Sequence, residues 1–410
     1  MKYCTAPVTG PVGRTQVPGL DWAQLGDTLL YWTEDDDAAL RERARAAGLA
    51  LGKPSAQGQC LYVVTQVGRL FQREHPDVPV VVDKGRYLVV ALDPERARAV
   101  PARQDMCYQM SPLTGETTVF RTVVPARRTP DPAVQDLVKL VDEDGFRANL
   151  AALVAHGTRH SLNSGFKAAA EGARDVLRQL GYSASLVPIT VGSGSSFNIV
   201  AESTGVGAAP RGRVLVTAHI DSINIEGGPS APAPGADDNG SGAAGLLEMA
   251  RVFAGTQTEH DLCLLLFGGE EQGLFGSREY VSMLTRTDRD RIRAVINMDM
   301  IATLNTTAPT VLLEGADLSQ ALIDELAAAA ATYTSLTVQT SLNPFASDHV
   351  PFIDASIPAV LTIEGADRAN ENVHTGNDKL THIHFDLALD ILRMNVAATA
   401  ALAGLSRPET

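Results

Sequence analysis

Residues 217–276 decide the fold, because they contain three polar clusters: AHIDS (218–222), GADDNGSG (235–242) and GEEQG (269–273). Each cluster lies just past the carboxyl end of an apolar run, which is where open α/β sheets place their ligands. The clusters offer imidazole and carboxylate groups, which bind hard and borderline metal ions. We therefore expect this stretch to build most of a two-metal centre.

Helix and strand patterns alternate around this stretch. Helical periodicity predicts helices at 134–141, 146–155, 168–180, 241–253, 275–284, 318–331 and 385–402. Apolar runs predict strands at 186–191, 198–202, 214–217, 262–267, 294–297, 311–313 and 359–363. Such alternation with nearly continuous apolar strands predicts an α/β fold, in which a mixed, mainly parallel central sheet has helices on both faces.

The chain has 410 residues, which is too long for most single cores and favours two domains. Residues 1–125 predict a small α+β domain without a chemical motif, so its role is left open. Its predicted elements are strands at 29–32, 61–65, 78–82 and 87–92 and a helix at 38–47, capped by the acidic run 34–37. Residues 126–133, rich in proline and charge, predict a linker, and residues 134–406 predict the second domain.

The formal net charge of -14 argues against nucleic acid as a partner and against docking on an anionic membrane. The first residues lack the apolar core of a secretory signal, which predicts a cytoplasmic protein, with secretion as the alternative. Cys263 lies within an apolar run and is expected to be buried in a strand. Among Cys4, Cys60 and Cys107 one disulfide is left open.

His219 ends an apolar run, and Asp221 lies two residues further, on the same face of an extended chain. This spacing suits a metal-binding imidazole whose second nitrogen is held by a carboxylate. Asp238 lies in a glycine-rich turn that leads into a predicted helix. Taken alone, this turn is more typical of a helix cap formed by Asp237, Asp238 or Asn239 than of a metal site.

Glu270 and Glu271 follow a buried strand, where two adjacent carboxylates repel each other unless a cation compensates them. Asp299 is embedded in the apolar run INMDMI (296–301), and a buried aspartate requires a partner. His374 lies in the polar loop VHTGND (373–378) and supplies a second imidazole.

The order of these motifs resembles the metal-site signature of the M28 family of zinc metallopeptidases, which includes bacterial aminopeptidases. The resemblance covers roughly residues 132–405. It implies a zinc-dependent exopeptidase-like fold, two zinc ions and peptide substrates. Its residue roles are a shared Asp238, one metal completed by His219 and Asp299, the other by Glu271 and His374, a general base at Glu270 and an orienting carboxylate at Asp221.

The resemblance further implies a cis peptide bond between Asp238 and Asn239. The sequence departs from the family at Val373, where some members have a tyrosine, so the oxyanion donor beyond zinc is unassigned. Asp348 is interpreted either as a residue that supports the metal ligands or as a helix N-cap.

Four functions remain open at this point. The first is an aminopeptidase with two zinc ions. The others are a carboxypeptidase or dipeptidase with the same site, a single-zinc glutaminyl cyclase, and a non-catalytic binding domain. The intact set of five metal-binding side chains favours the first.

Overall fold

The computed structural model describes residues 1–8, 17–34, 38–51, 59–66, 69–100 and 108–405, and the chain divides into two compact units. The first unit comprises Met1–Thr122 and Gln339–Phe345, and the second comprises Val123–Val338 and the residues from Ala346 onward. The division into 1–125, 126–133 and 134–406 stays a prediction. It differs from the two units in assigning residues 339–345 to the second domain.

The first unit contains two groups of strands. Its elements are β1 (Lys2–Pro7), β2 (Asp21–Leu25), β3 (Thr28–Thr33), α1 (Ala38–Ala46), β4 (Cys60–Gln66), α2 (Leu70–Glu74), β5 (Val80–Lys84), β6 (Tyr87–Leu92), α3 (Pro94–Ala99), β7 (Tyr108–Pro112) and β8 (Thr117–Val123). Strand β3 pairs antiparallel with β1 and β2, and β2 pairs parallel with β8. The second group has the order β5-β6-β4-β7.

Most predicted elements of this unit are confirmed, with one shift. The strand expected at 78–82 begins two residues later, as β5 (Val80–Lys84). Val78 precedes it and packs in the core, where it is 5% exposed. Strands β1, β2, β7 and β8 were not predicted. Residues 35–37 of the acidic run and Cys107 lie outside the described residues, whereas Cys4 and Cys60 are free thiols.

The second unit contains the elements of the predicted α/β sheet. Its helices are α4 (Pro132–Lys139), α5 (Glu143–Val154), α6 (Ser164–Gln179), α7 (Gly242–Phe253), α8 (Phe275–Met283), α9 (Arg286–Arg291), α10 (Gln320–Tyr333), α11 (His349–Asp354) and α12 (Phe385–Ala403). Its strands are β9 (Ser183–Val191), β10 (Gly194–Ser203), β11 (Arg213–His219), β12 (Asp261–Phe267), β13 (Ile292–Met298), β14 (Thr310–Glu314) and β16 (Ala359–Glu364), while β15 (Thr337–Ser341) crosses the unit boundary.

The strand order in this unit is β14-β16-β13-β11-β12-β10-β9. Strands β16, β13, β11 and β12 are parallel, and the outer pairs are antiparallel. The predicted mixed sheet is therefore confirmed, with its parallel part at the centre. Since β11, β12 and β13 run in one direction, their carboxyl ends meet at one edge. At their amino ends, Asp261 accepts hydrogen bonds from Arg211 (2.7 Å) and Arg291 (2.6 Å).

Alternate residues of the central strands face two different cores. Leu264 and Leu266 of β12 contribute to one core, with helices α4–α7, α10 and α12. Cys263, Leu265 and Phe267 contribute to the other, with residues of α8 and α11. Each of these side chains is at most 1% exposed, and burying one such leucine stabilises a fold by about 1.5–3 kcal/mol. The helices thus cover both faces of the sheet, as predicted. Among the described helices, none combines the length and the apolar character needed to cross a bilayer.

Candidate metal centre

His219 is the last residue of β11 and lies at the centre of a cluster of carboxylates. Its Nε2 atom is 3.3 Å from Asp238 Oδ1, 3.3 Å from Asp299 Oδ1 and 3.9 Å from Glu270 Oε2. On the other side of the ring, Nδ1 is 3.4 Å from Asp221 Oδ1. The ring is 1% exposed. The predicted placement of Asp221 behind the imidazole is therefore present in the structure.

Asp238 presents its two carboxylate oxygens to two different imidazoles. While Oδ1 faces His219, Oδ2 is 3.0 Å from Nε2 of His374. The backbone N–H groups of Asp237 and Asp238 donate to the carboxylate of Asp378, each over 2.9 Å, which holds the turn in place. The peptide bond between Asp238 and Asn239 is cis, as the family resemblance implied.

Two further residues shape this turn. Gly235 has φ 51°, and a Cβ there would lie 2.4 Å from the carbonyl oxygen of Asp238, so only glycine fits. Asn239 accepts a hydrogen bond from Gly242 N–H (2.8 Å) and donates to the carbonyl of Met298 (2.9 Å). Asn239 therefore provides the helix-capping contact that the sequence left open, and Asp238 is directed at the imidazoles.

Glu270 and Glu271 follow β12 and have different neighbours. Glu271 Oε2 is 2.9 Å from His374 Nε2, whereas Glu270 lies on the side of His219. Burial raises the pKa of Glu271 to about 7, and the nearby Asp238 adds to the increase. Burial also raises the pKa of Glu270 well above its ordinary value. The adjacent pair is therefore divided between the two imidazoles.

Asp299 follows β13 and is held by a serine. Ser347 Oγ donates to Asp299 Oδ2 over 2.7 Å, so the aspartate keeps Oδ1 towards His219. His374 lies in a loop with φ 59°, and its carbonyl accepts a hydrogen bond from Ile225 N–H (3.2 Å). The seven side chains to which the resemblance assigned a role thus form one connected cluster.

The carboxylates of this cluster outnumber its two imidazoles, and the two kinds of group shift each other's pKa. Burial would lower the pKa of His219, but Glu270 and Asp299 raise it well above its ordinary value. Burial would raise the pKa of Asp238, but the two imidazoles hold it well below its usual range.

Donor atoms of His219, Asp238 and Glu271 lie within 4.8 Å of one another, as do those of His219, Glu270 and Asp299. Glu271 Oε1 is buried and has no hydrogen-bond partner. A compact set of nitrogen and carboxylate donors with a surplus of negative charge fits zinc.

Sequence reasoning missed several residues that support the cluster. Arg159 and Ser161 contact the loops that carry it, and no motif marks them, because their partners are distant in sequence. Asp378 was given no role, although a carboxylate in the same loop as His374 (residues 373–378) could have indicated a supporting contact. Asp348 occupies the N-cap position of α11, but its buried side chain makes no capping hydrogen bond to that helix. Burial raises its pKa to about 7.

Solved structures share this fold. BSAP, a zinc aminopeptidase from Bacillus subtilis, matches with a TM-score of 0.57 and 19% identity over 64% of this chain and 96% of BSAP. A glutaminyl cyclase from Bacteroides thetaiotaomicron, solved with N-acetylhistamine, matches with a TM-score of 0.53 and 19% identity over 63% of this chain and 97% of the cyclase. The fold thus defines a class of α/β proteins that includes zinc aminopeptidases. Residues 198–399, about half of the chain, match the model of peptidase family M28, so this segment is similar to that family.

Two curated relatives are similar to parts of the chain. Aminopeptidase YwaD of Bacillus subtilis is 34% identical over 174 residues, which are 42% of this chain and 36% of YwaD. Leupeptin-inactivating enzyme 1 of Streptomyces exfoliatus is 27% identical over 301 residues, which are 66% of this chain and 65% of that enzyme. The chain therefore spans between about a third and two thirds of the length of these relatives.

Proposed function

We propose that this protein is a zinc aminopeptidase with two metal ions, which removes N-terminal residues from peptides. The observation that supports this most strongly is the carboxylate of Asp238, whose two oxygens face His219 and His374 separately. Each imidazole also has a further carboxylate of its own, Asp299 or Glu271. A single ion would leave one of these two donor groups without a cation.

In this proposal, His219 and Asp299 would hold one zinc ion, Glu271 and His374 would hold the other, and Asp238 would serve both. Asp221 orients the His219 ring through Nδ1, which fixes its tautomer. Zinc held by these residues would supply an activated water molecule and a Lewis acid for the carbonyl of the scissile bond.

Glu270 acts as the general base. Its Oε2 is 3.9 Å from His219 Nε2, further than the 2.9 Å between Glu271 and His374, which leaves Glu270 able to exchange a proton. Burial raises the pKa of this carboxyl well above its ordinary value, which makes it a stronger proton acceptor. Glu270 takes a proton from the attacking water and delivers it to the leaving amine.

Glutaminyl cyclase activity is the second candidate, because a solved cyclase shares the fold. Zinc content per chain, measured together with hydrolysis of Leu-p-nitroanilide and of N-blocked peptides, distinguishes the candidates. An aminopeptidase contains two zinc ions and cleaves only substrates with a free N-terminus. One zinc ion and cyclisation of N-terminal glutamine would contradict our proposal, and so would cleavage of N-blocked peptides from their carboxyl ends.

A further inference from the structure

Arg159 is fully buried and lies in the segment that connects helices α5 and α6. Its Nε donates to the carbonyl of Ile220 over 2.8 Å. Its Nη1 and Nη2 donate to the carbonyls of Pro234 (2.6 Å) and Gly235 (2.8 Å). One guanidinium therefore connects the residue after His219 with the turn that leads to Asp238.

Ser161 connects the same strand end to a third loop. Its Oγ accepts a hydrogen bond from Gly269 N–H (2.6 Å) and donates to Asp221 Oδ2 (3.0 Å). Because the hydroxyl has a single proton, accepting from Gly269 leaves that proton for Asp221. The serine thus joins the carboxylate behind His219 to the backbone just before Glu270. It is 3% exposed, so water cannot readily replace either contact.

We propose that Arg159 and Ser161 are positioning residues that set the spacing of the three loops carrying the metal ligands and the base. This inference rests on the proposed function. Neither residue touches the reacting atoms; both act through Asp221 and through the backbone next to His219, Asp238 and Glu270.

The chemistry of arginine explains why this residue type is present. A planar guanidinium can bond three carbonyls in different directions, which a lysine ammonium on a flexible stem cannot reproduce. Burial lowers the pKa of Arg159 to about 10, and Asp378, Asp221 and Asp238 oppose the decrease, so the group keeps its charge at neutral pH. A buried charge is costly for a fold that needs only a filled cavity, since apolar residues would fill it at lower cost.

Ser161→Ala tests the proposal against a matched control, Ser319→Ala. Ser319 is also buried, accepts a backbone N–H (Ala359, 3.1 Å) and donates one hydrogen bond (Ala359 carbonyl, 2.7 Å), but it makes these contacts away from the metal centre. Zinc affinity is measured by titration in chelator-buffered zinc, and turnover by kcat and KM separately. We expect Ser161→Ala to weaken zinc binding or kcat by about 10–100-fold with little change in KM, because supporting contacts of metal ligands have effects of this size.

Both serine variants are expected to lose similar thermal stability, so only the metal and kcat readouts separate them. Equal zinc affinity and equal kcat in Ser161→Ala and Ser319→Ala would overturn the proposal for Ser161.

Arg159→Lys tests the guanidinium, with Arg213→Lys as the control. Arg213 is the first residue of β11, whose last residue is His219. It forms an ion pair with Glu202 at the end of the strand that is remote from the metal centre. We expect Arg159→Lys to keep the fold, as circular dichroism reports, and to lose zinc affinity and kcat by at least about 10-fold. If this variant binds zinc and turns over like Arg213→Lys, Arg159 has a structural role alone. Should Arg159→Lys fail to fold, the serine pair decides.

The wild-type protein separates this proposal from the proposed function. Wild-type protein without bound zinc or turnover would contradict the zinc aminopeptidase itself. Wild-type protein with both, and variants that match their controls, would contradict only the positioning role.

Discussion

Replacing Glu270 by glutamine should have opposite effects on turnover and on the stability of the metal-free protein. The amide keeps the size of the side chain but cannot accept a proton. General-base catalysis contributes about 10²–10⁴-fold, so kcat should fall by that factor, equivalent to about 3–5.5 kcal/mol in the barrier. Because Glu270 lies further from its imidazole (3.9 Å) than Glu271 does (2.9 Å), the two zinc ions should remain bound.

The stability effect follows from burial. Burial raises the pKa of Glu270 well above its ordinary value, so the folded metal-free protein holds this charge at a cost that increases with pH. Glutamine removes the charge, and the melting temperature of the metal-free variant at pH 8 should rise, by about 2–4 °C for each 1 kcal/mol gained. Calorimetry after chelation measures the melting temperature, metal analysis measures the bound zinc, and hydrolysis of Leu-p-nitroanilide measures kcat. Glu171→Gln, on the exposed face of α6, is the control. A Glu270→Gln enzyme with full zinc and more than about a tenth of wild-type kcat would refute the assignment.

Three further predictions concern the metal ligands and pH. Asp238→Asn should weaken the binding of both ions by at least about 100-fold, since both imidazoles lose the shared carboxylate; metal analysis after dialysis would contradict this if two ions remained. Chelation should abolish turnover, and zinc at 100 times its Kd should restore it and add about 2.7 kcal/mol to the free energy of unfolding, whereas an unchanged melting temperature would argue against a zinc site. The metal-free protein should become less stable as the pH rises from about 5 to 8. In the folded state, burial raises the pKa of Glu271 to about 7. Burial alone would lower the pKa of His219, but the carboxylates Glu270 and Asp299 raise it well above 6.5. Both folded groups therefore keep protons that the unfolded chain has already released, and stability decreases as the pH rises. A melting temperature that increased over this range would contradict this reasoning.

The proposed metal ligands that follow strands could be predicted from local sequence patterns alone. His219, Glu271 and Asp299 each follow an apolar run, and parallel strands bring such positions to one edge of the sheet. Asp238 and His374 lie in loops, where no strand pattern predicts their position. They were grouped with the other ligands only because the order and type of these residues resemble the family motif.

The supporting residues could not be found in the same way. Arg159 bonds to backbone carbonyls, which every residue possesses, so no pattern in the sequence marks its partners. For Asp348 the sequence left two alternatives, support of the metal ligands or a helix cap, because residue type predicts caps whereas tertiary packing decides burial. Similarly, residues 339–345 group with the first unit through contacts distant in sequence, such as the hydrogen bond from Asn343 to the carbonyl of Val119.

The ion cluster of Asp261, Arg211 and Arg291 has a practical consequence for handling the protein. It marks the amino ends of the central strands, and a strand of seven residues such as β11 separates that end from His219 by roughly 20 Å. Coupling to a solid support through an exposed position near this end, for example Arg286 at the start of α9, would leave the metal centre on the side that faces the solution. On a bead or sensor surface that carries the protein in this orientation, the candidate metal centre would stay accessible to peptides in the flowing solution.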